Sequence, residues 1–254
     1  MLTRPESERP VAPPKESYPE LLSLAVHELR GPAGVVIGYL RMLQRDTNGS
    51  LSEQQRKMID EAAKSCARLN AIVEELSDVG KMDGGRLRLK RQPTDAFSLV
   101  AEVAGLVHEA RDRGVRLEVR GPAEGAALAG DAVLLRKAFD AIFRAILREK
   151  PRQCTVVAER RIEQLNGVQS AIVIVAEESS VQAAYDRAPG PFDERRGGLG
   201  LALPLARRVI DGHGGRLWAP TPVAGEPEPE WASTSDPLAR GSAIISLPIT
   251  ELSR

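Results

Sequence analysis

His27 and Glu28 stand side by side in the run His27-Glu28-Leu29-Arg30-Gly31-Pro32. A neutral imidazole attacks an electrophile through one ring nitrogen, and a carboxylate within reach fixes the tautomer and takes the proton from the other. Glu28 is the nearest carboxylate to His27. Arg30, one helical turn on, could pair with a phosphoryl group carried by His27. A solitary histidine on a helix is more often just solvated, so the pair needs context. The second candidate is Gly197-Gly198-Leu199-Gly200-Leu201. Glycines let backbone amides close on phosphates, and a helix N-terminus favours an anion. The same run also suits an ordinary loop before a helix.

The elements that must position these residues are legible from periodicity. Residues 20–45 carry Leu22, Val26, Leu29, Ala33, Val36, Leu40 and Leu43 in alternating steps of four and three, a heptad seam. His27 follows Val26, flanks the seam and is expected to face water. Pro32 removes a bond to the carbonyl of Glu28 and is expected to kink the helix. DTNGS at 46–50 reads as a turn, and Ser52 with Gln55 as a capping box. Met58, Ala62, Ser65, Leu69, Ile72, Leu76 and Val79 repeat the seam, widened by Ile59, Cys66 and Val73. The two helices form an antiparallel hairpin closed by Gly84 and Gly85. Each apolar face is wider than one partner covers, so dimerisation into a four-helix bundle is expected. Packing on the chain's own downstream part is the alternative.

After the hairpin the pattern changes to mixed helix and strand. RLRLKR (86–91) reads as a strand, 95–113 as an amphipathic helix and VRLEVR (115–120) as a strand. Asp131 caps a helix reaching about Lys150, with Leu135, Phe139, Ile142 and Ile146 on one face. CTVVAERR and AIVIVA read as adjacent strands, LALPLARRVIDGHGG as a helix ended by Gly214 and Gly215, and RLWA and SAIISLPI as closing strands. This α+β order suggests a two-layer sandwich. The proposed division is a disordered tail at 1–17, the hairpin at 18–83 and the α/β domain at 84–254. The proline-rich stretch 220–237 reads as a long mobile loop.

The composition narrows the function classes. The 254 residues carry 35 basic and 35 acidic side chains, a formal charge of zero. Binding held mainly by nucleic-acid phosphates or anionic lipid needs a basic excess. Aromatics at 4% argue against base-stacking platforms. Hydrophobic content of 42% is enough for a core. Cys66 and Cys154 are far apart, which fits a reducing compartment. No apolar run approaches the roughly 18 residues of a membrane span. The charged, proline-rich start lacks an apolar signal core, so a cytoplasmic protein without an upstream sensor domain is expected.

HELRGP on the first helix of a heptad hairpin resembles the H-box of sensor histidine kinases, and the α/β segment resembles their ATP-binding domain, together over about residues 20–250. The resemblance implies that His27 is phosphorylated, that Glu28 is the general base, and that phosphoryl groups pass between His27 and an Asp of a response-regulator receiver domain. GGLGL, followed by a long helix and HGG, resembles the family's second glycine box, with Arg196 where an earlier glycine stands. Phe192 resembles the aromatic residue before the lid. The helix beginning at Asp131 aligns with the one whose Asn ligates Mg²⁺, and that position is Ala145. Asp140 and Glu149 lie elsewhere on the helix and are not obvious substitutes. Glu177-Glu178-Ser179-Ser180-Val181 aligns with the DxGxG turn whose Asp binds the adenine amino group. Glu177 keeps a carboxylate, while Ser179 and Val181 replace glycines that permit positive φ. Many relatives carry Thr or Asn at the position of Gly31, used to place water for regulator dephosphorylation. His108 and His213 read as surface or structural residues.

The resulting expectation is a dimeric, cytoplasmic histidine-kinase-family protein. Its phosphotransfer residues are His27, Glu28 and Arg30. Its nucleotide-binding residues are Glu177, Gly198 and Gly200, with Mg-ATP bound weakly or not at all. The expected partners are a second copy of the chain and a receiver domain, with a catalytic histidine kinase as a further candidate, and neither nucleic acid nor membrane. The competing expectation is a non-catalytic pseudokinase, a dimeric scaffold for regulators or partner kinases.

Overall fold

The computed structural model describes residues 18–45, 51–223 and 234–250. The expected tail at 1–17, the turn at 46–50 and most of the expected loop, at 224–233, lie outside the described residues. Two compact units divide between Arg86 and Leu87.

The first unit is a helical hairpin of α1 (Tyr18–Gln44) and α2 (Glu53–Asp83). The α1 helix runs unbroken through Pro32. The α2 helix starts at the expected capping box: the Gln55 amide donates to Ser52 Oγ, and the Ser52 amide donates to Gln55 Oε1 at 2.8 Å. It stops at Gly84, and Gly85 takes φ +63°, a conformation glycine adopts without strain. Gln44 reaches Asp60 at one end of the hairpin, and Leu22 packs on Gly80 at the other, so the helices are antiparallel.

The seam between the two helices keeps part of the expected one, including Val26, Ala33, Leu40 and Val79, and is shifted by one residue along much of α2. On α2 the inward row is Ile59, Ala63, Cys66, Asn70, Val73, Ser77 and Gly80, all buried or half-buried. On α1 the inward residues include Val26, Ala33, Ile37 and Leu40. The expected seam residues Leu29, Val36, Leu43, Met58, Leu69 and Ile72 are exposed. On α2, Met58, Leu69 and Ile72 each sit one position before an inward residue, a rotation of about 100°, whereas on α1 this holds for Val36 and not for Leu29 or Leu43.

The second unit contains β1 (Gln92–Asp95), α3 (Ala96–Leu106), β2 (Arg116–Arg120), β3 (Ala127–Gly130), α4 (Ala132–Arg148), β4 (Thr155–Leu165), β5 (Val168–Glu177), α5 (Val181–Asp186), β6 (Pro189–Gly190), α6 (Ala202–Gly212), β7 (Arg216–Pro220), α7 (Pro237–Arg240) and β8 (Ala243–Pro248). Six strands form one sheet in the order β2-β4-β5-β8-β7-β6, and β1 pairs with β3 separately. The β2–β4 pair is parallel and the β4–β5, β5–β8 and β7–β8 pairs are antiparallel.

Two expectations need correction. Residues 86–91 are not a strand: the Lys90 amide goes to the Asp131 carboxylate at 3.0 Å, and the Arg91 guanidinium goes to the carbonyls of Ala129 and Gly212. The helix expected at 95–113 ends at Leu106 because Val107 turns to extended backbone and buries its side chain, and a short 3₁₀ turn follows at Arg111–Arg113. The expected sandwich is present, with the short helix α5 added against β5. α3, α4 and α6 pack side by side on one face of the sheet. Ile172, Ile174 and Ala176 of β5 point the other way and pack with Val181 and Ala184 of α5. β5 is therefore buried on both faces, which explains its nearly continuous apolar sequence.

Candidate functional site

On α1, Val26 is buried and the next residue, His27, is exposed, as are Glu28 and Arg30. The packing of Val26 against α2 sets the rotation of the helix, and that rotation turns His27 to solvent. Gly31 is also exposed, and nothing lies within 4 Å of where a side chain would start. The arrangement presents a nucleophilic ring, an acid and a cation on an open helical surface, where a large phosphorylated partner can reach them.

The nucleotide-binding candidates lie in the α/β unit and are not brought together as expected. Glu177, at the end of β5, lines a cleft of about 800 Å³ with Lys150, Cys154, Arg187, Asp236 and Arg240 among its walls. Gly198 and Gly200 have positive φ, as the glycine-box pattern requires, but they are exposed and stand outside that lining. The segment aligned with the DxGxG turn is not a glycine-type turn. Glu178–Ser180 forms a 3₁₀ turn, and Val181 begins α5 at φ −54° with its side chain in the core. The β-branched residue has converted an open loop into a packed helix start.

The Mg²⁺ position fails a direct fit test. Ala145 is fully buried in α4 and offers a methyl group, where a hard cation needs oxygen. Gly197 passes close over this position: a Cβ added to Gly197 would lie 3.1 Å from Ala145 Cα. The residues present do not fit the metal. Asp140, the other acid on α4, is paired with Arg144. Among the described residues no three His, Cys, Asp or Glu side chains gather as a metal site.

Two residues read from sequence as incidental turn out to organise this region. Glu149 caps the C-terminal end of α4, and its carboxylate accepts from the Gly197 amide at 3.2 Å and pairs with Arg240. Arg196, read as a lost glycine, is buried. It donates to the carbonyls of Asp193, Arg240 and Ser242 and stacks 4.0 Å above the Phe192 ring. Burial lowers the guanidinium pKa to about 10, which leaves it charged at neutral pH. Phe192 and Arg196, four residues apart, were the available signal for a stacked pair. No local pattern marked Glu149.

His108 is exposed, as expected. His213 is structural: its Nε2 accepts the Asp131 amide at 2.9 Å, and its Nδ1 lies 2.7 Å from the Val209 carbonyl. It thereby ties the end of α6 to the residue that caps α4.

Residues 20–85 match the family model described as the His Kinase A (phospho-acceptor) domain. The sensor protein GacS of Pseudomonas syringae pv. syringae is 25% identical over 244 residues, 91% of this chain and 26% of its own length. The signal transduction histidine-protein kinase BarA of Escherichia coli K12 is 26% identical, over 78% of this chain and 22% of its own. The sensor protein CutS of Streptomyces coelicolor is 31% identical, over 77% of this chain and 47% of its own. The chain thus spans about a quarter to a half of these curated relatives. Among solved structures, full-length ShkA in complex with AMPPNP superposes with a TM-score of 0.64 at 20% identity, over 94% of this chain and 47% of that one. The Acinetobacter baumannii histidine kinase AdeS has a TM-score of 0.50 at 17% identity, over 89% of this chain and 98% of that one. A phospho-acceptor match confined to the hairpin, joined to relatives that align across hairpin and α/β unit alike, means that this protein belongs to the sensor histidine kinase family.

Proposed function

We propose that the chain is a homodimeric phosphotransfer protein in which His27 exchanges a phosphoryl group with the Asp of a response-regulator receiver domain, and that ATP is not its effective phosphate source. One observation carries this reading: within the phospho-acceptor match, His27 is exposed beside Glu28, while the metal position in the α/β unit is an alanine under a glycine loop. In the transfer, an unprotonated ring nitrogen of His27 attacks the phosphorus of the aspartyl phosphate. The N–P bond forms as the P–O bond to the Asp carboxylate breaks, and the Asp leaves as its carboxylate. Glu28 takes the proton released from the other ring nitrogen, and Arg30 faces the charge on the transferred group. The reverse step returns the group to the regulator.

The exposed row Leu29, Val36, Leu43, Met58, Leu69 and Ile72 supports the dimer, since a single hairpin leaves this apolar strip in water. A cytoplasmic location fits the two free thiols, and no described helix is long and apolar enough to cross a membrane. The scaffold reading is favoured by the same lost metal ligand and separates cleanly in one experiment. Receiver domains phosphorylated by a small phosphodonor, with label on the phosphoryl group, are incubated with the wild-type chain and with His27→Ala. Acid-labile label on the wild type alone is expected. Regulator binding with no label on either chain would replace transfer with scaffolding.

A further inference from the structure

The two residues at the C-terminal end of α4 engage both ends of the region where a nucleotide would lie. Glu149 accepts from the Gly197 amide, and Lys150 Nζ lies 3.6 Å from Glu177 Oε2. Both are almost wholly withdrawn from water: the Glu149 side chain is 8% exposed and that of Lys150 is 9% exposed. Burying opposite charges at this depth is costly unless each is paired. Each is: Glu149 holds Arg240 as well as the amide, and Lys150 holds Glu177. The loop is fixed from its other side too, since Arg148 donates to the Gly197 carbonyl at 2.8 Å. Among the described residues every buried side-chain nitrogen and oxygen has a hydrogen-bond partner.

We propose that Glu149 and Lys150 are a built-in surrogate for a nucleoside polyphosphate. The Glu149 carboxylate takes the anion's place on the glycine-loop amide, and the Lys150 ammonium takes a donor's place opposite Glu177. The surrogate is a second barrier to nucleotide, separate from the missing metal ligand at Ala145. A polyphosphate approaching Gly197 meets a fixed carboxylate, and like charges in a partly buried setting repel strongly. Restoring the metal ligand therefore does not restore binding, whereas removing the carboxylate admits the anion. This inference does not depend on His27 carrying a phosphoryl group.

The test uses the full chain and calorimetric titration with ATP, with and without Mg²⁺, and with inorganic pyrophosphate as a probe of the phosphate end alone. Wild type and Ala145→Asn are expected to give no binding below millimolar ligand. Glu149→Gln, which keeps the side chain's shape and removes its charge, is expected to tighten ATP and pyrophosphate by about tenfold or more, with or without Mg²⁺. Glu149→Ala is expected to do the same and to free the Gly197 amide. Tight Mg-ATP binding by wild type or by Ala145→Asn would overturn the proposal, as would a natively melting Glu149→Gln with unchanged affinity. Should both Glu149 variants fail to fold, hydrogen exchange on the wild type decides: the Gly197 amide must be protected without nucleotide, and rapid exchange there rejects the surrogate. No arm reads label on His27, so failure of the phosphotransfer reading leaves this result standing.

Discussion

In the described part of the hairpin, the buried apolar side chains are Val26, Val73 and Val79. In the α/β unit, Phe97, Phe139, Phe143, Ile142, Ile146, Ile172, Ile174 and Ile244 are all fully buried. The polar groups follow the same contrast. His27, Glu28 and Arg30 face water, while Glu149, Lys150, Arg196 and His213 are withdrawn and satisfied by their own chain. The comparison teaches that the two units depend on partners to different degrees. A hairpin whose described part buries three valines and leaves an apolar row exposed has little core of its own, which the proposed dimer would supply. A domain whose cleft residues are already paired needs no ligand to be stable. The proposed transfer chemistry then rests on the hairpin, and the α/β unit is expected to hold its shape whether or not nucleotide is present.

The contrast breaks most sharply at His27. His27→Ala is expected to reduce labelling from a phosphorylated receiver domain to background with no change in melting temperature, since the ring is exposed. Glu28→Gln is expected to slow transfer by about 10²–10⁴-fold, the usual contribution of a positioned base. Equal labelling of wild type and His27→Ala would move the chemistry elsewhere. The next largest effect is on association. Leu69 is 58% exposed in the single chain. Leu69→Asp therefore costs the isolated hairpin little, but it removes an apolar contact and inserts a charge wherever a second copy covers the strip. The dimer dissociation constant is expected to rise roughly 30- to 1,000-fold, or about 2–4 kcal/mol. Light scattering across a dilution series checks this, and a wild type that stays monomeric at micromolar concentration rejects the bundle.

Periodicity made most of this contrast legible. Heptad steps located both helices, and Ser52 with Gln55 marked where α2 begins. The exact seam on α2 was not legible, because Met58 and Ile72 stand beside Ile59 and Val73 and only the partner helix decides between the rows. In the α/β unit, apolar runs located β4, β5 and β8. β3 and β6 are short, and their strand character comes from pairing with β1 and β7 rather than from their own residues. The run at 86–91 alternates like a strand yet has no strand partner among the described residues, since its polar groups go to Asp131 and to the ends of other elements. At the candidate sites, HELRGP pointed to His27, which α1 leaves exposed. Ala145, Ser179 and Val181 were legible as losses. The replacement at Glu149 was not, because its partners Gly197 and Arg240 are 48 and 91 residues away.

His213 gives a smaller, pH-dependent test of the self-satisfied domain. The Nε2 atom accepts the Asp131 amide, so the native ring is neutral with its proton on Nδ1, facing the Val209 carbonyl. Burial lowers its pKa below the usual 6.5, with Arg91 adding to the shift and Asp131 opposing it. The unfolded chain therefore binds this proton at a higher pH than the native chain does. Stability from this residue is complete above about pH 6.5 and is lost as pH falls through the lower native value. His213→Gln is expected to cost about 1–2 kcal/mol at pH 7.5 through the disturbed hydrogen bonds and to flatten the decline in melting temperature between pH 7 and pH 5. A variant with the wild-type pH slope would remove His213 as its source.

The smallest expected effect is at Gly31, on the open side of the comparison. Glycine within a helix costs about 0.8–1.0 kcal/mol relative to alanine, and nothing lies within 4 Å of a side chain added here. Gly31→Ala is therefore expected to stabilise α1 by up to about 1 kcal/mol, read as a small rise in the melting temperature of the full chain. Gly31→Asn gains less helix stability but adds an amide beside the exposed histidine, able to hold water against a phosphorylated regulator. Comparing the two separates packing from chemistry. Faster hydrolysis of the regulator's aspartyl phosphate with Asn, and not with Ala, would mean that the natural glycine withholds a water-positioning group and keeps the phosphoryl group for transfer. A wild-type chain that already dephosphorylates the regulator rapidly, at the same rate as both variants, would show that residue 31 has no part in guarding it.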